Sequence, residues 1–345
     1  MRTIDLRSDT ITHPIQAMRE AMYTAPVGDD CYEEDPTINR LERYCADLFH
    51  KQAALFVCSG IMGNQLCLFS QTNRGEEIIF EEESHIYGSE LGAYALLSGL
   101  SGRPIKGQKG IMPIAAIEKA AKAHSDGHTM RTGIICLENT HNFSGGNVIP
   151  LENIAAVYDL AKASHIPVHL DGARIFNAAA YLQCEVSEIT QYCDTVMACF
   201  SKGLCAPIGS IIAGPKAVIE KARVMRKILG GGLRQSGILA AAALIAVQEM
   251  PGRLTEDHRR ARTLGEGLQA LGFAVDTDIH TNIVMAYTPS SWTMQAEEAV
   301  KRLAEHGILS HNLAPDKIRF VTHYYITDDD IAYTLDKAGK LFSKH

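Results

Sequence analysis

The chain has 345 residues, with 33 lysines and arginines against 40 aspartates and glutamates and a formal charge of −7. A hydrophobic fraction of 46% excludes a disordered chain, and the acidic balance argues against a nucleic-acid or anionic-membrane surface as the main partner. At roughly 100–200 residues per domain, this length predicts two domains whose cores need no disulfide or metal staple.

From the start, Met1-Arg2-Thr3-Ile4-Asp5-Leu6-Arg7 lacks the apolar segment of a secretory signal. A helix is predicted over 36–49, a strand over 54–58, a helix over 62–71 and a strand over 77–81. A helix over 113–124, a strand over 133–138 and a helix over 151–164 follow. Strands over 167–170, 195–200 and 210–213 complete the pattern. Strand and helix in alternation predict an α/β domain with a mainly parallel sheet between helices, where ligands bind beyond the carboxyl ends of the strands.

The Ala-rich helical stretch after Gly237 ends at Met250-Pro251-Gly252, which marks the expected domain boundary. Residues 1–251 form the expected large domain, with segment 1–20 contributing to its site. Residues 252–345 form a small α+β domain: a helix over 253–271, strands over 273–276 and 282–287, a helix over 293–306, a strand near 318–322 and a last helix from Asp328. The apolar run over 238–247 is about half the length of roughly 20 residues that spans a bilayer, so no membrane partner is expected. Nine cysteines, odd in number and without a Cys-x-x-Cys pair, fit a reduced cytoplasmic protein.

The strand ends carry the chemistry. The strand over 167–170 runs into Asp171-Gly172-Ala173-Arg174, and the strand over 195–200 runs into Ser201-Lys202-Gly203, about one βα unit later. The strand over 54–58 runs into Ser59-Gly60-Ile61 and opens a helix, whose first backbone N–H groups make an anion site. Each part alone is commonplace, since a lone lysine is ordinarily a solvated surface residue. Together they suit pyridoxal 5′-phosphate: a lysine for the Schiff base, a carboxylate for the ring nitrogen and a glycine turn for the phosphate. Ser59-Gly60-Ile61-Met62-Gly63 is not the Gly-x-Gly-x-x-Gly fingerprint of a nicotinamide site.

Six ordered blocks make the sequence recognisable: Asp5-Leu6-Arg7-Ser8-Asp9-Thr10; Val27-Gly28-Asp29-Asp30 with Glu34-Asp35-Pro36-Thr37; Leu137-Glu138-Asn139-Thr140-His141-Asn142; His169-Leu170-Asp171-Gly172-Ala173-Arg174; Ser201-Lys202-Gly203-Leu204; and Gly230-Gly231-Gly232-Leu233-Arg234-Gln235. Over nearly its whole length the chain resembles the threonine aldolases, pyridoxal-phosphate enzymes of the aspartate-aminotransferase fold, also called fold type I. The resemblance implies cleavage of β-hydroxy-α-amino acids, threonine or allo-threonine, to glycine and an aldehyde by way of an external aldimine and a quinonoid.

By that resemblance Lys202 would carry the cofactor and Asp171 would pair with its ring nitrogen. Arg174 would contact the cofactor's phenolic oxygen, the substrate carboxylate or both. Ser8 and Arg319 match the remaining carboxylate-binding positions, and the arginine's planar fork suits that task. His85 matches the histidine that stacks on the cofactor ring, and His128 aligns with the one near the substrate hydroxyl. The catalytic base is His128, His85 or a bound water. Glu90 matches an acid near the ring, against the alternative of an exposed helix carboxylate. Tyr32 lines the site or an interface. Arg234 would reach the phosphate, including that of a neighbouring subunit in a dimer of dimers with shared sites.

Three departures stand out. Ile61 replaces the usual Thr after Ser-Gly, and Cys205 replaces the usual Gly, while Gly88-Ser89 replaces bulkier residues beside His85. They bear on substrate choice more than on reaction class. The same machinery could run an amino-acid racemase or a β-eliminating lyase, and a catalytically silent cofactor-binding protein is the remaining alternative. No metal is expected.

Overall fold

The computed structural model describes residues 3–125, 127–289, 291–292 and 294–342. Strand β1 (Ile4–Asp5) precedes the main sheet, which comprises β2 (Ala53–Val57), β3 (Glu77–Glu81), β4 (Ser101–Ile105), β5 (Thr132–Glu138), β6 (Val168–Asp171), β7 (Thr195–Cys199) and β8 (Ser210–Gly214). A second group follows: β9 (Ala274–Val275), β10 (Ile283–Tyr287), β11 (Ile308–Leu309), β12 (His311–Ala314) and β13 (Lys317–Val321).

The main sheet has the order β2-β8-β7-β6-β5-β3-β4. Only β8 is reversed, antiparallel to both β2 and β7, and the remaining pairs are parallel. Strands β3, β5, β6, β7 and β8 are buried at every position, as sheets covered on both faces require. The helices that cover it include α1 (Gln16–Thr24), α2 (Pro36–Leu48) and α3 (Gly60–Gln71). Gly63 lets α3 lie close on the sheet, since a Cβ there would sit 2.7 Å from the Met197 side chain.

The predicted strands of the main sheet match the observed ones to within a residue at each end. The sequence pattern did not announce β4. Its Ser-Gly-Arg-Pro-Ile run is half polar and contains a proline, which an edge strand paired only to β3 tolerates. The helix expected over 113–124 is shorter, Ile114–Ala120, and breaks at Ala121 in an extended conformation. The helix expected from Thr293 begins at Ala296; Thr293 itself lies outside the described residues.

The four-stranded sheet β12-β13-β10-β9 and the helices around it enclose a second core, from Ala261 to Phe342. Ile4 and Leu6 belong to this core, and β1 pairs in parallel with β11. The first residues of the chain are therefore stitched to its last hundred, although their sequence position counts them with the large domain. Among the described residues no single helix is long and apolar enough to cross a membrane.

Candidate active site

The carboxyl ends of β2, β5, β6 and β7, the start of α3 and segments from both ends of the chain surround a cavity of about 450 Å³. Ser59 caps α3, its hydroxyl accepting the Met62 N–H at 3.2 Å. The Gly60 and Ile61 N–H groups are left without an intrahelical acceptor and border the cavity. Glycine is required at position 60, where a Cβ would stand 2.9 Å from Cys199 Sγ. Lys202 lies in the turn after β7, and its carbonyl accepts the Thr12 hydroxyl at 2.8 Å and the Cys205 N–H at 2.9 Å. Cys205 holds that turn with a φ of 65°.

Asp171 ends β6 fully within the protein. Its Oδ2 accepts the Asn64 amide at 2.8 Å, and its Oδ1 accepts the Ala173 N–H at 3.1 Å. The same Asn64 amide donates to Glu90 Oε1 at 2.8 Å, and Gln65 donates to Glu90 Oε2 at 2.6 Å. Behind Asn64 stands His169, whose pKa burial pushes down to about 4. Neutral at ordinary pH, it donates from Nε2 to Asn64 Oδ1 at 3.0 Å and accepts from the Thr195 hydroxyl at Nδ1. Gln71 donates to that hydroxyl at 2.8 Å. Every donor in this chain points toward the two carboxylates.

His85 stands on the cavity wall and donates from Nδ1 to Glu90 Oε1 at 2.9 Å. Burial disfavours its charge, but the Glu90 hydrogen bond and the Asp171, Glu90 and Glu138 carboxylates outweigh burial and raise its pKa. Ligand atoms of His85, Glu90 and Asp171 all lie within 4.8 Å of one another.

On the opposite side, the Arg174 guanidinium meets Asp9 in a bidentate pair at 2.8 and 2.7 Å. Asp9 is fully buried. Burial would raise its pKa, but Arg174, Lys202 and Asn282 overcome this and hold it far below the ordinary carboxylate range. Arg174 Nη1 also donates to Asn142 Oδ1 at 3.2 Å, and Arg319 Nη1 reaches the same oxygen at 3.4 Å. Arg319 Nε has no hydrogen-bond partner among the described residues. Its pKa is lowered by burial and by the Arg174 charge beside it. Two cations face one cavity with one buried carboxylate between them, and an incoming anion relieves both.

The cavity thus gathers Ser8, Ser59, Gly60, Ile61, His85, Asp171, Arg174, Lys202 and Arg319. Glu90 lies buried behind His85 rather than exposed on a helix. Three further sequence candidates lie away from the cavity. His128 is on an exposed loop; Tyr32 is 73% exposed; and Arg234, its side chain 60% exposed, reaches Asp29 at 3.3 Å. Asp9, Asn64, Glu138 and Asn142 belong to the site and received no role from sequence. Asp9, Glu138 and Asn142 did sit in recognisable blocks, and Asn64 did not.

A family model for beta-eliminating lyases matches residues 5–291. The chain is 44% identical to a probable low-specificity L-threonine aldolase of Arabidopsis thaliana, over 99% of this chain and 98% of that one. It is 40% identical to the low specificity L-threonine aldolase of Escherichia coli, over 95% and 96%. A solved threonine aldolase of Leishmania major superposes with a TM-score of 0.85 at 17% identity, over 98% and 99% of the chains, which shows the shared fold.

Proposed function

The chain belongs to the beta-eliminating lyase family, together with the low-specificity L-threonine aldolases, and from that membership we propose its reaction and cofactor. It cleaves β-hydroxy-α-amino acids of the threonine and allo-threonine type to glycine and an aldehyde, using pyridoxal 5′-phosphate. The observation that carries this reading is the convergence of Lys202, Asp171 and the arginine pair on one cavity.

The residues fit that cofactor. Lys202 offers the amine that would hold it covalently, and the buried Asp171 carboxylate, already braced by Asn64, would pair with its ring nitrogen. The Gly60 and Ile61 N–H groups at the start of α3 would hold its phosphate. The hydroxyl lost at Ile61 costs about 0.5–1.5 kcal/mol, too little to prevent binding. When bound, the cofactor supplies an electron sink for charge developing at the substrate Cα.

The protein's own groups do the rest. Ser8, Arg174 and Arg319 bind the substrate carboxylate and fix which bond at Cα is presented for cleavage. With His85 Nδ1 committed to Glu90, Nε2 is the ring atom that takes the β-hydroxyl proton, directly or through a water. His128, on its exposed loop, is the weaker candidate for this role within one chain.

Exposed Tyr23, Tyr32, Leu91 and Leu96 support a homo-oligomer, a dimer of dimers in which Arg234 and Tyr32 serve a neighbouring site. All nine cysteines are free, which supports a reducing, cytoplasmic setting. The separate cores support a large domain over 1–251 and a small one over 252–345 that brings Arg319.

The test is a spectrum and a product assay. Added pyridoxal phosphate should give a band near the visible edge that shifts with glycine, and L-threonine or L-allo-threonine should release glycine and acetaldehyde. Lys202→Ala should end turnover. Racemised alanine or pyruvate from serine, without aldol cleavage, would instead favour a racemase or an eliminating lyase.

A further inference from the structure

We propose that Glu138 is a positioning residue that fixes the proton-handling histidine and the carboxylate clamp from a single carboxylate. Glu138 is the last residue of β5 and is buried. Its Oε2 accepts the backbone N–H of His85 at 2.6 Å, and its Oε1 accepts the backbone N–H of Asn142 at 2.8 Å. His85 belongs to the short helix His85–Gly88 after β3, and Asn142 to the loop after β5. These are separate segments, and one side chain sets the distance between them.

What hangs on each segment gives the bond its meaning. His85 carries the imidazole that Glu90 orients. Asn142 carries the oxygen that receives both Arg174 and Arg319. A rotation of the Asn142 backbone would therefore misplace two cations together, and a shift of His85 would move its Nε2 away from the substrate hydroxyl. Displacements of about 1 Å in such groups cost on the order of a hundredfold in rate.

Among the described residues no other donor hydrogen-bonds to the Glu138 carboxylate. His141, whose charge bears on Glu138, lies 3.1 Å from Glu81 instead. Burial and Asp171 push the Glu138 pKa up, while His141 and the two backbone N–H groups pull it down. Each oxygen accepts one backbone donor, so the carboxylate ties the two segments together at the border of the cavity. A glutamine cannot replace it, because its amide nitrogen would face an N–H donor.

This inference rests on the aldolase reading, so its test has one arm that does not need the cofactor. In Glu138→Gln without cofactor, amide hydrogen exchange at whichever of His85 and Asn142 meets the glutamine nitrogen should run about tenfold faster, with the rest of β5 unchanged. With cofactor, kcat should fall and KM for threonine should rise, each by about tenfold, because both segments move. Asn142→Ala, which spares His85, should raise KM alone. Unchanged exchange at the two amides, or kcat and KM both within twofold of the wild type, would overturn the proposal. If Glu138→Gln does not fold, Glu138→Asp decides by the same exchange measurement: its shorter stem reaches one N–H and should free the other, and protection kept at both overturns the proposal. A wild-type protein that cleaves no threonine removes the functional reading, while the exchange arm still judges Glu138.

Discussion

The Asn64 amide donates to Asp171 at 2.8 Å while its carbonyl oxygen receives His169, so the carboxylate at the end of β6 is aimed by a side chain from α3. The chain Gln71, Thr195, His169, Asn64 has every donor pointing the same way, and such alignment strengthens each bond in a low-dielectric interior. Asn64→Leu removes the one donor shared by Asp171 and Glu90. It should weaken pyridoxal-phosphate affinity by about tenfold, the value of a charge-assisted hydrogen bond, in a titration followed by absorbance. Equal affinity in the variant would show that Asp171 needs no such brace.

The pH dependence of cleavage follows from His85. The imidazole must be neutral to accept a proton, and its pKa is raised above the ordinary 6.5. The acid limb of kcat/KM should therefore lie above pH 6.5 and activity should grow as pH rises through it. Glu90→Gln removes the largest of the causes that raise this pKa, so the limb should move to lower pH. A limb that stays in place would transfer the proton to another group.

Asp9 and Arg174 form the buried pair of the clamp. Asp9→Asn leaves Arg174 buried without a counter-charge and should cost about 3–5 kcal/mol of stability in denaturant unfolding. The sign against pH is fixed by the depressed Asp9 pKa. Its stabilising contribution is complete above its ordinary 3.8 and disappears only as pH falls through its much lower folded value. The variant's stability should therefore lose the part of the acid dependence that Asp9 supplies.

Cys205 occupies a left-handed conformation in the turn that presents Lys202. Cys205→Gly relieves backbone strain of about 1–2 kcal/mol and forfeits a similar amount of buried side chain and chain stiffness, so the melting temperature should scarcely change. Cys205→Val adds a β-branch at positive φ in a buried position and should lower stability by more than 2 kcal/mol, on the order of the strain known for such residues. Calorimetry on the two variants separates these expectations.

The main sheet was legible because β3, β5, β6, β7 and β8 are short apolar runs buried on both faces. Edge strand β4 was not, since a strand with one neighbour can carry Gly102, Arg103 and Pro104. The site divides in the same way. Asp171 and Lys202 declared themselves because they end apolar strands, where an acid or a lysine needs a reason to be. Asp9 did not: its partner Arg174 is 165 positions away, and no local period connects them. Asn64 and Glu138 were hidden for another reason, because an amide on a helix and an acid closing a strand are ordinary residues until their partners are visible. Tyr32, Arg234 and His128 lie on the outer surface of the chain, where local sequence carries no information about a second copy.

The pairing of β1 with β11 sets an order of events at the ribosome. Ile4 and Asp5 are made well before the strand that receives them, Ile308–Leu309, which emerges some three hundred residues later. Val321 also donates to the carbonyl of Leu6, and Arg319 to that of Arg7. Asp9 also pairs with Arg174 of the main-sheet domain, but the backbone on either side of Ser8 takes its place from these contacts with late segments. The sheet with Asp171 and Lys202 can assemble while synthesis continues, but the substrate clamp closes only after the small unit has left the exit tunnel. A nascent chain stalled before residue 308 would hold the parts for the cofactor and lack the grip on its substrate.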